Sequence, residues 1–417
     1  MFFFKLVALY LMTQPKTTKE RKKMNDIRQL LNRYENELLH DNIPFWEEFS
    51  IDRQYGGFLS CLERDGKCYD TRKFMWMQWR EIYMFAALYN SIYREERFLK
   101  YAVDGFDFLM EHARKKDGSY HYILNREGLA DADGEAGAEI FSESFAAIAC
   151  AELFRASGEK RFADEAVSAC RVFRNNTDRA DAPPPPEFPG RKHFNQLAYP
   201  MIMLNVLQIM QNSLGKDAVS DQDVKECVDR IRSFFNPEYG LIFERRLGDG
   251  TFDLDSPDGR FNNPGHALEG LSFIFEYCRN HHDPELLNWA LETAGNEFVF
   301  GWDEKDGGIR YFRDIMDKPV FKNEFMLKAW WPQCESATAM LRAFELSGDE
   351  KFMLNLEKIE VFTRANLKDP DYPEYFAYAA TDGRQHHTYK GSRWKTFFHV
   401  PRYLLNNALS CREILSR

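Results

Sequence analysis

Tyr55-Gly56-Gly57-Phe58-Leu59, with Asp65-Gly66 a few residues on, reads as a short strand, a glycine turn and a second short strand, and this punctuation returns along the chain. Asp117-Gly-Ser-Tyr-His121 is followed by Glu127-Gly128, Tyr239-Gly-Leu-Ile-Phe243 by Asp249-Gly250, and Tyr372-Pro-Glu-Tyr-Phe376 by Asp382-Gly383. Asp306-Gly-Gly-Ile-Arg310 completes the set. The starts lie 62, 122, 67 and 66 residues apart, so the long gap predicts a sixth unit near residue 180, in the proline-rich stretch Asp181 to Lys192. Between the hairpins run helix-period segments such as Phe141 to Ala156, Gln196 to Gln211, His266 to Arg279 and Cys334 to Leu346. A unit of two helices and a hairpin cannot bury its apolar face alone, whereas six stacked in a ring can. The expected fold is therefore an all-α (α/α)6 barrel with short β-hairpins at one mouth, where loops build the site. Independent α+β domains would need linkers, and the Pro183 to Pro186 run reads as a rigid loop instead.

The 417 residues are 44% hydrophobic and 29% charged, a composition of packed soluble proteins, and the 15% aromatic share suits both a core and an aromatic-lined cavity. A net charge of −10 argues against nucleic-acid binding, which needs a basic surface. Eight scattered cysteines form no CxxC pair and read as buried thiols of a reducing, cytoplasmic setting. Phe2 to Met12 is apolar but too short to span a bilayer, and its basic cluster (Lys16, Lys19, Arg21, Lys22, Lys23) follows the apolar run, the reverse of a signal peptide. Residues 1–23 are thus expected to be an extension, probing no membrane, ahead of a single domain over 24–417.

Two histidines have matching surroundings: His266 in Asn263-Pro-Gly-His266-Ala-Leu-Glu269, and His399 in Phe398-His399-Val-Pro-Arg402. Each has a charged residue three positions on, one helical turn away. Imidazoles titrate near neutrality, and two of them can serve opposite faces of one reacting carbon, although a lone histidine on an apolar face is more often a satisfied core residue. Four companion segments raise the chemical reading. Lys73 to Glu81 sets Arg80 among Trp76 and Trp79, Lys328 to Glu335 sets Trp330 and Trp331 before a proline and a carboxylate, Phe141-Ser-Glu143 offers an acid at a helix start, and Ala198 to Asn205 is a helix start whose polar end faces a cavity. Taken singly, Trp pairs pack cores and Glu143 is a helix-dipole partner. Together they supply aromatic platforms, a cation and two bases, the needs of acid-base sugar chemistry.

In order and spacing, Phe45-Trp46 with Tyr55-Gly-Gly-Phe58, Trp76-Met-Gln-Trp-Arg80, Ile140-Phe-Ser-Glu143, the His266 motif, Gly301-Trp-Asp303 with Gly307-Gly308, Lys328-Ala-Trp-Trp-Pro-Gln-Cys-Glu335, and the His399 motif resemble the N-acylglucosamine 2-epimerase family, whose animal members are also called renin-binding proteins. The resemblance covers about Asn25 to Leu405. It implies an (α/α)6 barrel, often a homodimer, that interconverts N-acetyl-D-glucosamine and N-acetyl-D-mannosamine without a required cofactor; ATP or another nucleotide activates some members. Carried over by position, His266 and His399 match the catalytic pair, Arg80 and Arg402 the essential arginines, and Glu269 and Glu335 the site carboxylates, while Trp76, Trp331 and Glu143 are expected to bind substrate. Two positions depart from the family pattern: Trp79 stands where Gly precedes the arginine, and Gln333 where His follows Trp-Trp-Pro, as in the sister cellobiose 2-epimerases. Both are expected to tune substrate choice. The rival readings are a disaccharide or mannose 2-epimerase, an aldose-ketose isomerase, a glycoside hydrolase using Glu143, Glu269 and Glu335, and a non-catalytic protein-binding module.

Overall fold

A computed structural model describes residues 18–131, 140–181 and 192–417, with side chains from residue 23 onward. Among these residues, twelve long helices make two concentric layers. The inner layer is α2 (Met75–Asn90), α4 (Ser142–Ser157), α6 (Ala198–Leu214), α8 (Pro264–Asn280), α10 (Trp330–Ser347) and α12 (His399–Ser416). The outer layer is α1 (Thr18–Glu37), α3 (Glu96–His112), α5 (Lys160–Asp181), α7 (Asp221–Arg232), α9 (Pro284–Gly301) and α11 (Glu350–Asn366). Packing follows the predicted (α/α)6 ring: α2–α4–α6–α8–α10–α12 are neighbours in turn, and α12 returns to α2. Each outer helix backs the inner helix that precedes it, and α1 backs α12, so the sixth pair joins the two ends of the chain.

The burial pattern explains the layering. In α10 every residue from Trp330 to Leu341 is buried, as suits a helix covered all round. In α3 the buried set is Phe98, Ala102, Gly105, Phe106, Phe108 and Leu109, mostly one stripe turned inward. The extension boundary expected at residue 23 falls inside α1, which starts at Thr18; residues 1–17 lie outside the described residues.

Five of the predicted glycine turns follow outer helices as tight antiparallel hairpins, with pairings Ile51–Phe58, Arg114–Tyr120, Phe235–Ile242, Trp302–Ile309 and Lys368–Tyr375. The sixth, sought near residue 180, falls largely on 182–191, outside the described residues. Gly57 and Gly308 hold equivalent places, with φ of 65° and 81°, and a Cβ on either would strike the ring of Phe108 or Phe362. Both turns are pinned alike. Lys73 Nζ donates to the Gly56 carbonyl (2.6 Å) and pairs with Asp52 (3.2 Å); Lys328 Nζ donates to the Gly307 carbonyl and pairs with Asp303 (3.1 Å).

A second set of short antiparallel pairs lies just ahead of inner helices: Lys73–Phe74 with Ile123–Leu124 before α2, Phe194–Gln196 with Arg245–Leu247 before α6, Phe261–Asn262 with Arg313–Asp314 before α8, and Leu327–Ala329 with Tyr378–Ala380 before α10. Four of the inner helices therefore begin at a hairpin, and residues at or near the starts of all six surround one opening. No described helix is long and apolar enough to cross a membrane.

Candidate active site

The first turns of the inner helices carry most of the predicted site. His399 opens α12 with Arg402 one turn on, Trp330 and Trp331 open α10 ahead of Glu335, His266 is the third residue of α8 ahead of Glu269, and α2 gives Trp76 and Arg80. Apart from Glu335, these residues line one cavity of about 420 Å³. Helix α8 starts where it does because Pro264 occupies its first turn and the Asn263 side chain accepts from the backbone N–H of Gly265 (3.1 Å) and His266 (3.4 Å). At Gly265 a Cβ would come within 2.9 Å of the Trp331 ring and Pro332. Glycine lets α8 and α10 press together there, and Trp331 lies beside both imidazoles, its ring centre 5.1 Å from His266 and 5.9 Å from His399.

Each histidine is held through Nδ1 by a carboxylate. His399 Nδ1 lies 2.7 Å from Glu335 Oε1, the oxygen that also accepts from Arg402 Nη2 (2.6 Å), and Arg402 Nη2 reaches Glu269 Oε1 as well (2.6 Å). His266 Nδ1 lies 2.9 and 3.1 Å from the two oxygens of Glu244. An ionised carboxylate only accepts, so each ring keeps a proton on Nδ1 and Nε2 is left for chemistry. The surroundings shift the two rings in opposite directions. Burial pulls His266 down, but the charge and hydrogen bond of Glu244, with help from Glu269, outweigh it and raise its pKa above the ordinary value. Burial first, and then the cations Arg80 and Arg402, push His399 well below that value against the opposing charge of Glu269. The Arg80 guanidinium sits 4.2 Å from the centre of the Phe145 ring, 4.6 Å from Trp76 and 4.8 Å from Phe398. Glu269, Glu335 and His399 also bring one ligand atom each within 4.8 Å of one another, yet the cation among them is Arg402.

Three expected site residues lie elsewhere. Glu143 lines a different recess with Lys115, Tyr120 and Arg179, and its carboxyl, raised by burial, accepts from the backbone N–H of Tyr120. Trp79 is fully buried against Tyr120 and Phe106, 5.2 and 6.2 Å between ring centres, in the layer between inner and outer helices. Gln333 is fully buried too: its Oε1 accepts from Ile309 N (2.8 Å) and its Nε2 donates to Ile309 O (2.8 Å). Gln78 holds Phe58 of the equivalent hairpin in the same way (2.9 and 2.8 Å). The two departures therefore pack and fasten the scaffold and do not face the cavity. Conversely, sequence reasoning missed Glu244, whose only signal is an acid directly after the apolar Leu241-Ile-Phe243, and the cavity residues Tyr311, Phe312 and Trp394.

Comparison with known proteins agrees with this geometry. The family profile of N-acylglucosamine 2-epimerase (GlcNAc 2-epimerase) matches residues 56–402. N-acylglucosamine 2-epimerase of Homo sapiens is 31% identical over 380 residues, covering 89% of this chain and 87% of the human one. Cellobiose 2-epimerase of Ruminococcus albus is 22% identical over 423 residues, covering 93% and 99%. The solved structure of cellobiose 2-epimerase from Spirochaeta thermophila superposes with a TM-score of 0.77 at 17% identity, covering 96% of this chain and 100% of that one. Barrel and site define a carbohydrate epimerase, an isomerase. The chain belongs to the N-acylglucosamine 2-epimerase family.

Proposed function

We propose that this epimerase inverts C2 of an open-chain aldose by passing protons between the sugar and His399 and His266 on opposite faces. The observation that carries the reading is the pair itself: two imidazoles on one cavity, each oriented by a carboxylate, with surroundings that favour the neutral ring at His399 and the protonated ring at His266. The free aldehyde makes the C2 hydrogen acidic. Neutral His399 removes that proton, the electron pair moves onto the aldehyde oxygen, and protonated His266 returns a proton to C2 from the other side. The developing enolate oxygen is stabilised by the guanidinium of Arg80 and by the positive ends of the inner helices that converge on the cavity. Arg402 fixes Glu269 and Glu335 and so orients His399. Trp76 and Trp331 offer ring faces to the sugar. A hydrolase reading gives no reason for this histidine pair.

For the substrate, the reading is the N-acetyl-D-glucosamine and N-acetyl-D-mannosamine pair, supported by the relatives of highest identity. A cellobiose-type disaccharide is the second reading. The cellobiose 2-epimerase of Ruminococcus albus matches 93% of the chain, and Tyr311, Phe312 and Trp394 around the cavity offer a face to a second ring. By breadth of match it is the better backed of the two. Proton NMR in heavy water with N-acetylmannosamine, mannose and cellobiose in turn tests both choices. Deuterium should enter C2 of a 2-epimeric aldose without added nicotinamide; a ketose product, or hydrogen retained at C2 over many turnovers, sinks the two-base scheme.

A further inference from the structure

Helix α6 lines the cavity through Ala198, Met201, Ile202 and Asn205, spaced so that all four share one helix face. This face differs from the rest of the wall. Helices α2, α8 and α12 each bring ionisable groups, whereas α6, with Phe141 and Phe145 beside it, is apolar except for one amide. The Asn205 side chain makes no hydrogen bond to any described residue. It also lies deep: Asn205 and Arg402 line both this cavity and the recess at the opposite end of the barrel. A Cβ on Gly270, next to Glu269, would lie 3.4 Å from Met201 Cγ, so α6 meets α8 beside the Glu269 carboxylate, and Asn205 stands one turn further in on the same face.

We propose that the α6 face reads the substituent on C2 and is built for an acylamino group, with Asn205 as its specificity-determining residue. The inference rests on the C2-epimerase reading above and deepens its choice of substrate. Sugar carbons carry hydroxyls, so a wall with one polar group suits a substituent that is part amide and part methyl. A carboxamide presents one acceptor and two donor hydrogens, the complement of a secondary amide's N–H and C=O. Met201, Ile202 and Phe141 then receive the acyl carbon. A C2 hydroxyl would leave the apolar pocket empty and half of the amide unmatched.

The test is turnover of N-acetylmannosamine with mannose as competing inhibitor. Asn205→Leu should lower kcat/KM for N-acetylmannosamine about ten- to a hundredfold, the discrimination expected when a site loses the hydrogen bonds that read an amide, and weaken mannose binding far less; Asn205→Asp, which keeps an acceptor and loses the donor, should fall between. Parallel weakening of both sugars in the folded variants, or no change for either, overturns the assignment and leaves the epimerase reading standing. A wild-type protein that epimerises cellobiose but not N-acetylmannosamine overturns the substrate reading and this inference together. Saturation-transfer NMR on the wild-type protein needs no variant: transfer from protein methyls should be strongest to the acetyl methyl, and stronger transfer to the ring protons overturns the proposal.

Discussion

At the scale of single residues, neighbours decide what a histidine can do. Glu244 is given over to His266, whereas Glu335 is shared between His399 and Arg402, and in the proposed scheme the first ring is the acid and the second the base. His266→Asn and His399→Asn should each cut kcat by at least about a hundredfold in folded protein, the usual scale for a positioned acid or base; near-normal turnover would return that residue to a packing role. The pH profile follows from the directions of the shifts. His399, lowered, stays an unprotonated base until pH falls well under its ordinary titration range, and His266, raised, stays an acid until pH rises above it, so activity should plateau across neutrality. Glu244→Gln removes the charge that holds the His266 proton and should move the alkaline limb to lower pH while the acid limb stays; an unmoved alkaline limb would show that another group sets it. Both histidines were legible in the sequence because each has its charged neighbour one turn away. Glu244 was not, because it reaches His266 from 22 residues upstream, across a connection whose strands pair elsewhere, Arg245–Leu247 with Phe194–Gln196 and Phe261–Asn262 with Arg313–Asp314.

At the scale of elements, the hairpin and the helix that follows it form a fastened unit. Lysine and glutamine five positions apart, Lys73 with Gln78 and Lys328 with Gln333, hold the turn at Gly56-Gly57 and the turn at Gly307-Gly308. The repeat of glycine turns was readable without coordinates, since positive φ and close approach both select glycine. The meaning of Gln333 and Trp79 was not, because a departure from a family pattern next to site residues looks the same whether the side chain faces the cavity or the outer layer. Gln333→Leu would strip the partners of both backbone groups of Ile309 and should destabilise the protein by about 2–4 kcal/mol, and Trp79→Ala by about 3–5 kcal/mol for a large buried aromatic. Neither should change the preference between N-acetylmannosamine and cellobiose in protein that remains folded. Chemical denaturation and paired kcat/KM measurements check this, and a changed preference would restore these positions to the site.

For the whole molecule, two carboxyl groups sealed within the packing tie stability to pH. Burial lifts Glu81, which accepts from the Ser50 (2.7 Å) and Thr396 hydroxyls, to about 8, and lifts Glu297, which accepts from Ile242 N (2.6 Å), to about 8. Raised folded-state values mean that their stabilisation is complete below the unfolded carboxyl range and is lost as pH climbs toward 8, by up to about 1.4 kcal/mol per pH unit for each group. Melting temperature should therefore fall from pH 5 to pH 8, and Glu81→Gln should flatten that slope; an identical slope in the variant would locate the effect elsewhere. The ring itself was legible from the period of the hairpins, but not the packing of α1 behind α12, since nothing local in either helix names its distant partner. A chain shortened to begin at Met24 removes the first six residues of α1 and, at Lys23, an ion pair with Glu350 that is partly exposed at both ends (2.9 Å). Because such a pair is worth no more than about 1 kcal/mol, the shortened protein should match the longer one closely in activity and melting temperature, and a drop of several degrees would assign the missing segment to the barrel wall.

The pairing of α1 with α12 also fixes a sequence of events during synthesis. On the ribosome, five helical hairpins can assemble in the order they emerge, each upon the last. Helix α1 must wait for α12, which follows the other eleven long helices, and α12 brings His399 and Arg402 with it. Closure of the ring and arrival of the proposed base are thus one step, and on that reading every nascent or interrupted chain lacking α12 is both open and catalytically silent.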